Sequence, residues 1–331
     1  MQAFCVKIHL PKPSGLNEAH LTALFIGRPM KYEKTWLSYE QQADQLISRG
    51  MSCDRENLIE HLRCVSYYRL SGYWYPFQQN NHFKEGTLFS TVWNRYVFDR
   101  QFRLIVLDAI ERVEVFIRTQ LAYELAEAHG AFGFLEKNNL LGLNDQNYDL
   151  FISKAKDAYK SSRENFIKHF KKKYGESHDL PPYWVLVEII DFGQMYRLYQ
   201  GAPKPIQKKI AQKLGVEAVI LDSWLKTLNV CRNICAHHAR LWNKVLGVKP
   251  KIPERDERWQ SPKIANDRVF AVLTILSYSL SIIAPDSSWR SKLTGLFRKY
   301  PNIPIASMGF LPGWEGSPFW KDEVMPLTRK I

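Results

Sequence analysis

The sequence predicts an all-α protein. Two long segments, 88–128 and 219–244, contain neither Gly nor Pro and carry apolar residues at helical spacing. Helix-capping side chains precede several of the predicted helices. Alternating apolar and polar runs bounded by Asn-Gly or Asp-Gly turns, which are typical of β-hairpins, are nearly absent, and there is no internal repeat.

The first helices are predicted from their N-caps. Ser38 and Gln41 have the spacing of a capping box and open a short helix that Gly50 ends. Asp54 caps the next helix. The apolar positions of that second helix are Leu58, Leu62 and Val65.

An aromatic stretch, residues 67–77, follows these helices and holds six rings with a single arginine, Arg69. Rings interleaved with a cation can stack the bases of a nucleic acid. The same composition is typical of an aromatic wedge buried under a loop, which is the more common of the two arrangements. Both interpretations stay open from the sequence.

Residues 88–128 predict a long amphipathic helix with a break near Asp99. Its apolar stripe consists of Phe102, Val106, Ile110, Val113, Phe116, Ile117 and Leu121. Glu111, Glu114 and Arg118 lie at positions i, i+3 and i+7, which predicts a solvated face of ion pairs. A second interpretation is that Glu111 and Arg118 orient Arg232.

The segment 154–173 is strongly basic. Its cations outnumber its two acidic residues, and its apolar positions predict a helix that docks by one side. Runs of like charge are commonly solvated faces, yet contact with phosphate is a second interpretation in a protein of this net charge. For that role we single out Lys168, Lys171 and Lys172.

A proline pair, Pro181 and Pro182, starts the next predicted helix, because proline is tolerated in a first turn. This helix runs to Gly193 and carries Glu188 alone among apolar residues. Burial of an unpaired carboxylate is costly, so we expect Glu188 to pair with a cation or to cap a turn, with a general base as the alternative. Further helices are predicted around 204–213, 264–284 and 286–299, before an irregular aromatic tail, 303–314, that packs back on the body.

The most apolar run is 269–284. It is 16 residues long and holds four serine or threonine side chains, whereas a membrane-spanning helix needs about 20 predominantly apolar residues. We therefore predict a buried helix here.

The segment 219–244 predicts the helix around which the chain is organised. One face carries Leu228, Cys231, Cys235, His238 and Trp242. The opposite face carries Asn233, His237, Arg240 and Lys244, with Arg232 at the boundary. Such a helix offers a cation, an amide and an imidazole to one ligand, and phosphodiester chemistry uses those groups.

Charge and composition restrict the function class. The formal net charge of +13 implies an anionic partner, either nucleic acid or an anionic membrane surface. A hydrophobic content of 45% indicates a globular protein. Five cysteines without a regular framework, and a start without a signal peptide, predict a reducing cytoplasm.

We predict a single helical domain over residues 35–320. Residues 1–34 hold three prolines and no sustained period, which predicts a loosely ordered N-terminal arm, and residues 321–331 form a C-terminal tail. Met30 is a candidate for the natural start in place of Met1.

The motif segment resembles a known family. Arg232 and His237, with four residues between them and Asn233 directly after the arginine, resemble the R-x(4–6)-H motif of HEPN ribonucleases. The continuation His-Ala-Arg-Leu-Trp-Asn at 238–243 resembles the form of this motif in bacterial Abi-type abortive-infection proteins of the AbiD/AbiF-like group. Similar signatures lie at 37–42 with 49–50, at 68–73, at 180–193 and at 308–314, so the resemblance covers about residues 35 to 320.

This resemblance implies a HEPN-like helical bundle with additional helices and an irregular C-terminal tail. It also implies phage defence by a metal-independent endoribonuclease that acts as a homodimer without a cofactor. The ribose 2′-OH attacks the adjacent 3′-phosphate and leaves a 2′,3′-cyclic phosphate and a 5′-OH. His237 would move a proton, Arg232 would stabilise the phosphoryl oxygens, and Asn233 would orient the phosphate or His237.

The expected partners follow from this reading. RNA is expected to contact His238, Arg240, Lys244 and Arg69, in addition to the three lysines at 168, 171 and 172. An ideal helix separates Arg232 and His237 by about 140°, so a single copy of the motif does not direct both side chains closely at one phosphate. Two copies meeting across a dimer would supply two of each group to one cleft. An antitoxin, either a protein or a small RNA, is a further expected partner, and a membrane is not.

Three rival interpretations stay open. Cys231, Cys235, His237 and His238 contain zinc-ligand chemistry, although the Cys-x2-Cys spacing is missing and His237 points away from the cysteines. A non-catalytic RNA-binding or assembly module would keep the fold and the positive surface. A membrane-acting toxin would use the net charge and the 269–284 run.

Overall fold

The computed structural model describes residues 32–260 and 263–321. Within them it contains twelve α-helices, six short 3-10 helices and one two-stranded sheet, and 64% of the structure is helical. The predicted all-α fold is therefore confirmed. Nearly all of the predicted N-terminal arm, both candidate start methionines and nearly all of the predicted C-terminal tail lie outside the described residues.

The helices follow one another in short steps. They are α1 (Tyr39–Ser48), α2 (Arg55–Cys64), α3 (Tyr67–Trp74), α4 (Phe89–His129), α5 (Asp145–Ser161), α6 (Asn165–Tyr174), α7 (Tyr183–Leu186), α8 (Phe192–Gly201), α9 (Lys204–Lys213), α10 (Ala218–Ala236), α11 (Val269–Ile283) and α12 (Trp289–Lys299). Strands β1 (Gln78–Gln79) and β2 (His82–Phe83) form an antiparallel hairpin after α3. Its turn residues, Asn80 and Asn81, both have positive φ, which asparagine tolerates and type I′ turns require. Short strands of this kind give too weak a periodic signal for the sequence to predict.

The N-terminal caps form as predicted. The Ser38 side chain accepts a hydrogen bond from the backbone N–H of Gln41 at 3.2 Å, and the Gln41 side chain accepts one from the Ser38 N–H at 2.9 Å. Asp54 accepts a hydrogen bond from the N–H of Asn57 at 2.8 Å and starts α2. These helix starts were encoded locally.

The long helix α4 is the central element, because α3, α10, α11 and α12 all pack against it. It runs for 41 residues without interruption and is about 60 Å long. The predicted break near Asp99 is wrong. The Asp99 side chain is fully buried and bonds to groups on neighbouring elements, so it does not compete with the backbone of its own helix.

Two predicted helices are each divided. The basic segment 154–173 forms the end of α5 and α6 up to its penultimate residue, and residues 162–164 separate the two helices. Residues 183–193 form the single turn of α7 and the start of α8, which Asp191 caps by accepting a hydrogen bond from Gln194 N–H at 2.8 Å. The second helix therefore begins where a capping aspartate follows an apolar run.

The apolar run after residue 268 forms α11, a buried helix that packs against α4. It begins at Val269 rather than at 264. The aromatic tail packs back on the body as predicted: the ring centroids of Phe310 and Trp314 lie 4.4 Å and 6.2 Å from that of Phe270 on α11. None of the described helices is long and apolar enough to cross a membrane.

Candidate functional site

The motif helix α10 ends at Ala236, eight residues before the predicted end at 244. His238 adopts a left-handed conformation with φ of 58°. Its N–H donates to the carbonyl of Cys235 at 3.1 Å, and the Ala239 N–H donates to the carbonyl of Ile234 at 2.9 Å. This pair of bonds is a Schellman motif, which closes a helix and is commonly built on glycine rather than histidine.

The early end of α10 changes the predicted polar face. Arg232 and Asn233 lie on the last turn, and His237 caps the helix immediately after it. Asn233 and His237 are exposed and Arg232 is half-buried. The Arg232 guanidinium donates to the Asn233 side chain at 3.4 Å. Arg240 and Lys244 were predicted on the same helical face but belong to the segment that follows the helix. The predicted polar face of Asn233, His237, Arg240 and Lys244 therefore does not form.

A buried cluster holds that segment in place. We call Tyr73, Asp99 and Arg103 the Asp99 clamp. The Asp99 carboxylate forms an ion pair with Arg103 one helical turn away and accepts a hydrogen bond from the Tyr73 hydroxyl at 2.7 Å. It also accepts from the backbone N–H groups of Leu241 at 3.2 Å and Trp242 at 2.8 Å. The chain after the motif is therefore bound directly to α4.

The clamp keeps a charged group where solvent does not reach. Complete burial raises the pKa of Asp99, and the Arg103 guanidinium, the Tyr73 hydroxyl and two backbone N–H groups act against that shift. Sequence reasoning missed the clamp. Its signal was an acidic residue inside an apolar helical stripe, with Arg103 at i+4.

Two of the predicted RNA-binding arginines join the motif segment to α3. Arg69 donates to the carbonyl of His238 at 2.6 Å, and Arg240 donates to the carbonyl of Gly72. The Arg69 bond satisfies a carbonyl in the left-handed turn itself. Both arginines have a structural contact, and Arg69, which is exposed, keeps further N–H groups for a ligand.

A third arginine, Arg95, lies one turn before Asp99 and was not predicted. Its guanidinium carbon is 4.1 Å from the centroid of Phe77 and 5.6 Å from that of Trp242. Burial lowers the pKa of Arg95. The described residues offer no hydrogen-bond partner to its buried Nε atom, nor to the buried Nε1 of Trp242 and Oδ1 of Asn243. Arg95 is therefore a cation beside the motif segment for which residues 32–260 and 263–321 supply no counter-ion.

The three predicted orienting residues lie apart from Arg232. Arg118 forms an ion pair with Glu114 and donates to the carbonyl of Val187. Glu111 is exposed, and among the described residues neither Glu111 nor Arg118 bonds to Arg232. The prediction that Glu188 pairs with a cation or caps a turn is wrong. Its side chain is exposed in the turns between α7 and α8, and it forms no ion pair with any of the described residues. Solvent removes the burial cost on which that prediction depended.

The basic helix α6 lies away from the motif. Lys168 and Lys172 are exposed, whereas Lys171 donates to the carbonyl of Lys160 at 3.3 Å. Through Phe170 the helix contacts His178, and His178 stacks on Phe132, just beyond the C-terminal end of α4. Asp99 lies about 45 Å back along the α4 axis. The structure therefore does not bring these lysines together with Arg232 and His237.

The two motif cysteines face the core. Burial raises the pKa of the Cys231 thiol to about 12 and raises that of Cys235 further. His237 and His238 are exposed on the other side. Over residues 32–260 and 263–321, no three His, Cys, Asp or Glu side chains group as metal ligands.

Comparison with known families gives a match that spans the motif. Residues 60–243 match the model of a family described as Abi-like protein, and this match covers more than half of the chain. It begins within α2, includes α3, α4 and α10, and ends at Asn243. The resemblances at 37–42 and 308–314 lie outside it. Comparisons with curated proteins and with solved structures gave no match. The chain belongs to the Abi-like family of abortive-infection proteins.

Proposed function

We propose that this protein acts in phage defence as a metal-independent endoribonuclease of the HEPN type, with its site at the C-terminal end of α10. The observation that carries the proposal is the grouping of Arg232, Asn233 and His237 at one helix end, all reaching solvent, with no carboxylate paired to Arg232 among the described residues. Family membership supports the link to abortive infection.

The reaction is a transesterification within the RNA. The ribose 2′-oxygen bonds to the adjacent phosphorus as its proton passes to a base, and the bond to the 5′-oxygen breaks as that oxygen takes a proton. The products are a 2′,3′-cyclic phosphate and a 5′-OH. His237 carries the proton transfer, and Arg232 stabilises charge on the non-bridging oxygens through its planar fork. Asn233 orients the phosphate.

The local field makes the arginine necessary. A helix C-terminus carries partial negative charge, which is unfavourable for a phosphate. Side-chain cations must therefore supply the attraction, and Arg232, the exposed Arg69 and the exposed Lys244 lie on or beside this segment.

A homodimer completes the proposed site. The reaction needs one group that takes a proton and another that gives one. Arg232 and His237 are five positions apart, a spacing that on an ideal helix points two side chains about 140° apart. Two motif copies facing one another would supply both histidines and both arginines to one cleft.

A second candidate is an RNA-binding module without cleavage. The observation that favours it is the set of exposed cations on α6, including Lys168 and Lys172, far from the motif. Such a surface holds phosphates without taking part in chemistry.

The deciding experiment is a cleavage assay on total cellular RNA in EDTA, with end mapping. The wild type is compared with the double variant Arg232→Ala, His237→Ala. A matched control is His82→Ala, which removes an exposed histidine from the β-hairpin. We expect cyclic-phosphate ends from the wild type and the control alone. Cleavage by the double variant would remove this site, and binding without cleavage by the wild type would favour the second candidate.

A further inference from the structure

We infer that α3 forms a binding track for single-stranded RNA, leading away from the motif. The inference rests on the proposed function and specifies the class of its substrate. The track consists of the exposed rings of Tyr68 and Tyr75 and, at its far end, the guanidinium of Arg95. None of these residues belongs to the proposed catalytic group.

The motif segment runs alongside α3 from one end to the other. Near the start of α3, Arg69 bonds to the carbonyl of His238 at 2.6 Å. One turn on, the Gly72 carbonyl accepts from Arg240. The next residue, Tyr73, shares the Asp99 carboxylate with the N–H groups of residues 241 and 242. Contacts of three α3 residues, Arg69, Gly72 and Tyr73, thus hold this helix in a defined position beside His237. Tyr68 lies at the end of α3 nearest to His237.

The aromatic residues of this stretch divide between two environments. Tyr73 and Trp74 are each 2% exposed and belong to the core, whereas Tyr68 is 88% and Tyr75 73% exposed. Tyr68 and Tyr75 are seven residues apart, and Tyr75 keeps helical dihedral angles at the end of α3. They therefore lie on one face, about 10 Å apart. A single exposed ring is ordinary on a protein surface, but two rings in register beside a candidate active site form a stacking surface.

Arg95 supplies a phosphate contact at the end of the track. Phe77, two residues after Tyr75, lies against one side of its guanidinium, and Trp242 lies near it as well. No hydrogen bond or ion pair to Arg95 forms within the part of the chain that the structure describes. A planar fork held by rings, with no carboxylate, is suited to a phosphodiester oxygen pair.

These features select the substrate class. A base stacks on a protein ring only when it is free of its neighbours in a duplex, so the track requires unpaired nucleotides. A phosphate contact beside the rings matches the repeating pattern of base and backbone in a single strand. We therefore assign single-stranded RNA, or an RNA loop, as the substrate.

The test is binding of a fluorescent oligoribonucleotide whose 2′-oxygens are methylated, so that cleavage cannot occur. Anisotropy titrations compare this single strand with the same sequence in a duplex. Tyr68→Ala and Tyr75→Ala are each expected to weaken binding of the single strand about 10-fold. Tyr68→Phe keeps the ring and should bind as the wild type does. Tyr123→Ala, which removes a tyrosine 63% exposed on the far half of α4, is the matched control and should also bind normally.

An abasic series makes the test specific. Removing the base that stacks on Tyr68 should weaken binding by the wild type and leave Tyr68→Ala unaffected. Arg95→Met should weaken binding of every sequence equally. If the wild type binds the single strand and Tyr68→Ala, Tyr75→Ala and Arg95→Met bind it equally well, the track is overturned while the proposed function stands. If the wild type binds no RNA at all, both fall together.

Discussion

Two sets of polar side chains lie on either side of the motif segment, and they are used in opposite ways. Arg232, Asn233 and His237 reach solvent, and the one hydrogen bond among their side chains is the long one from Arg232 to Asn233. The Asp99 clamp is buried, and each of its members bonds to another. Buried polar groups need hydrogen-bond partners within the protein, whereas exposed groups can bond to water until a ligand binds. The buried set holds the motif segment to α4, and the exposed set is left open to a ligand.

The largest expected effect comes from removing the centre of the clamp. Asp99→Ala leaves the buried Arg103 without a counter-ion and two backbone N–H groups without an acceptor. The free energy of unfolding should fall by about 3 to 5 kcal/mol. Urea unfolding measures it. The matched variant is Asp44→Ala, which breaks an exposed pair with Arg55 and should leave the unfolding curve nearly unchanged. Equal unfolding curves for Asp99→Ala and Asp44→Ala would show that the buried clamp contributes no more to stability than an exposed ion pair does.

The exposed set should behave in the reverse way. His237→Ala should leave the unfolding midpoint unchanged, because its side chain is exposed, and should reduce RNA cleavage by about 100-fold or more. Parallel unfolding and cleavage measurements on one preparation make the separation clear. A large loss of stability would show that His237 belongs with the structural set.

Arg240 tests the link between the two sets. Arg240→Ala removes a charged hydrogen bond to the Gly72 carbonyl, which should cost about 2 kcal/mol. We expect faster amide hydrogen exchange in a peptide covering 237–243, measured by mass spectrometry. The control Arg298→Ala removes an exposed arginine from α12 and should leave that peptide unchanged. Unchanged exchange in both would mean that the clamp alone holds the segment.

The far end of α4 sharpens the comparison by a smaller effect. There Lys209 and Lys213 both form ion pairs with Glu124. The hydrogen bond from Lys213 lowers the pKa of Glu124, burial opposes this, and Lys209 adds to the lowering. Since this pKa is lower in the folded protein, the carboxylate stabilises the fold above the usual Glu range. That contribution is lost as pH falls through the lowered value.

Glu124→Gln should therefore lose less stability than the wild type as pH falls from about 5 to about 3. Thermal unfolding across that range measures the difference. Parallel losses in the two proteins would mean that the pairs with Lys209 and Lys213 contribute nothing.

Local signals predicted most of the helices but not the shape of the site. Ser38 and Asp54 start helices through bonds to residues three positions away, and such bonds are readable in the sequence. The end of α10 is different. Helical spacing continues to Trp242, yet the helix stops at Ala236 because His238 turns left-handed and Leu241 and Trp242 bond to α4.

The all-α fold, the helix starts, the family, and the grouping of Arg232, Asn233 and His237 within six positions could all be predicted from the amino-acid sequence. Each depends on periodicity or on residues close in the chain. Three-dimensional packing was needed to show that Asp99 stays in one continuous helix, that Glu188 is solvated, and that Arg69 and Arg240 hold the motif segment. Those outcomes depend on burial and on partners more than a hundred residues away, where the cost of desolvation outweighs local preference.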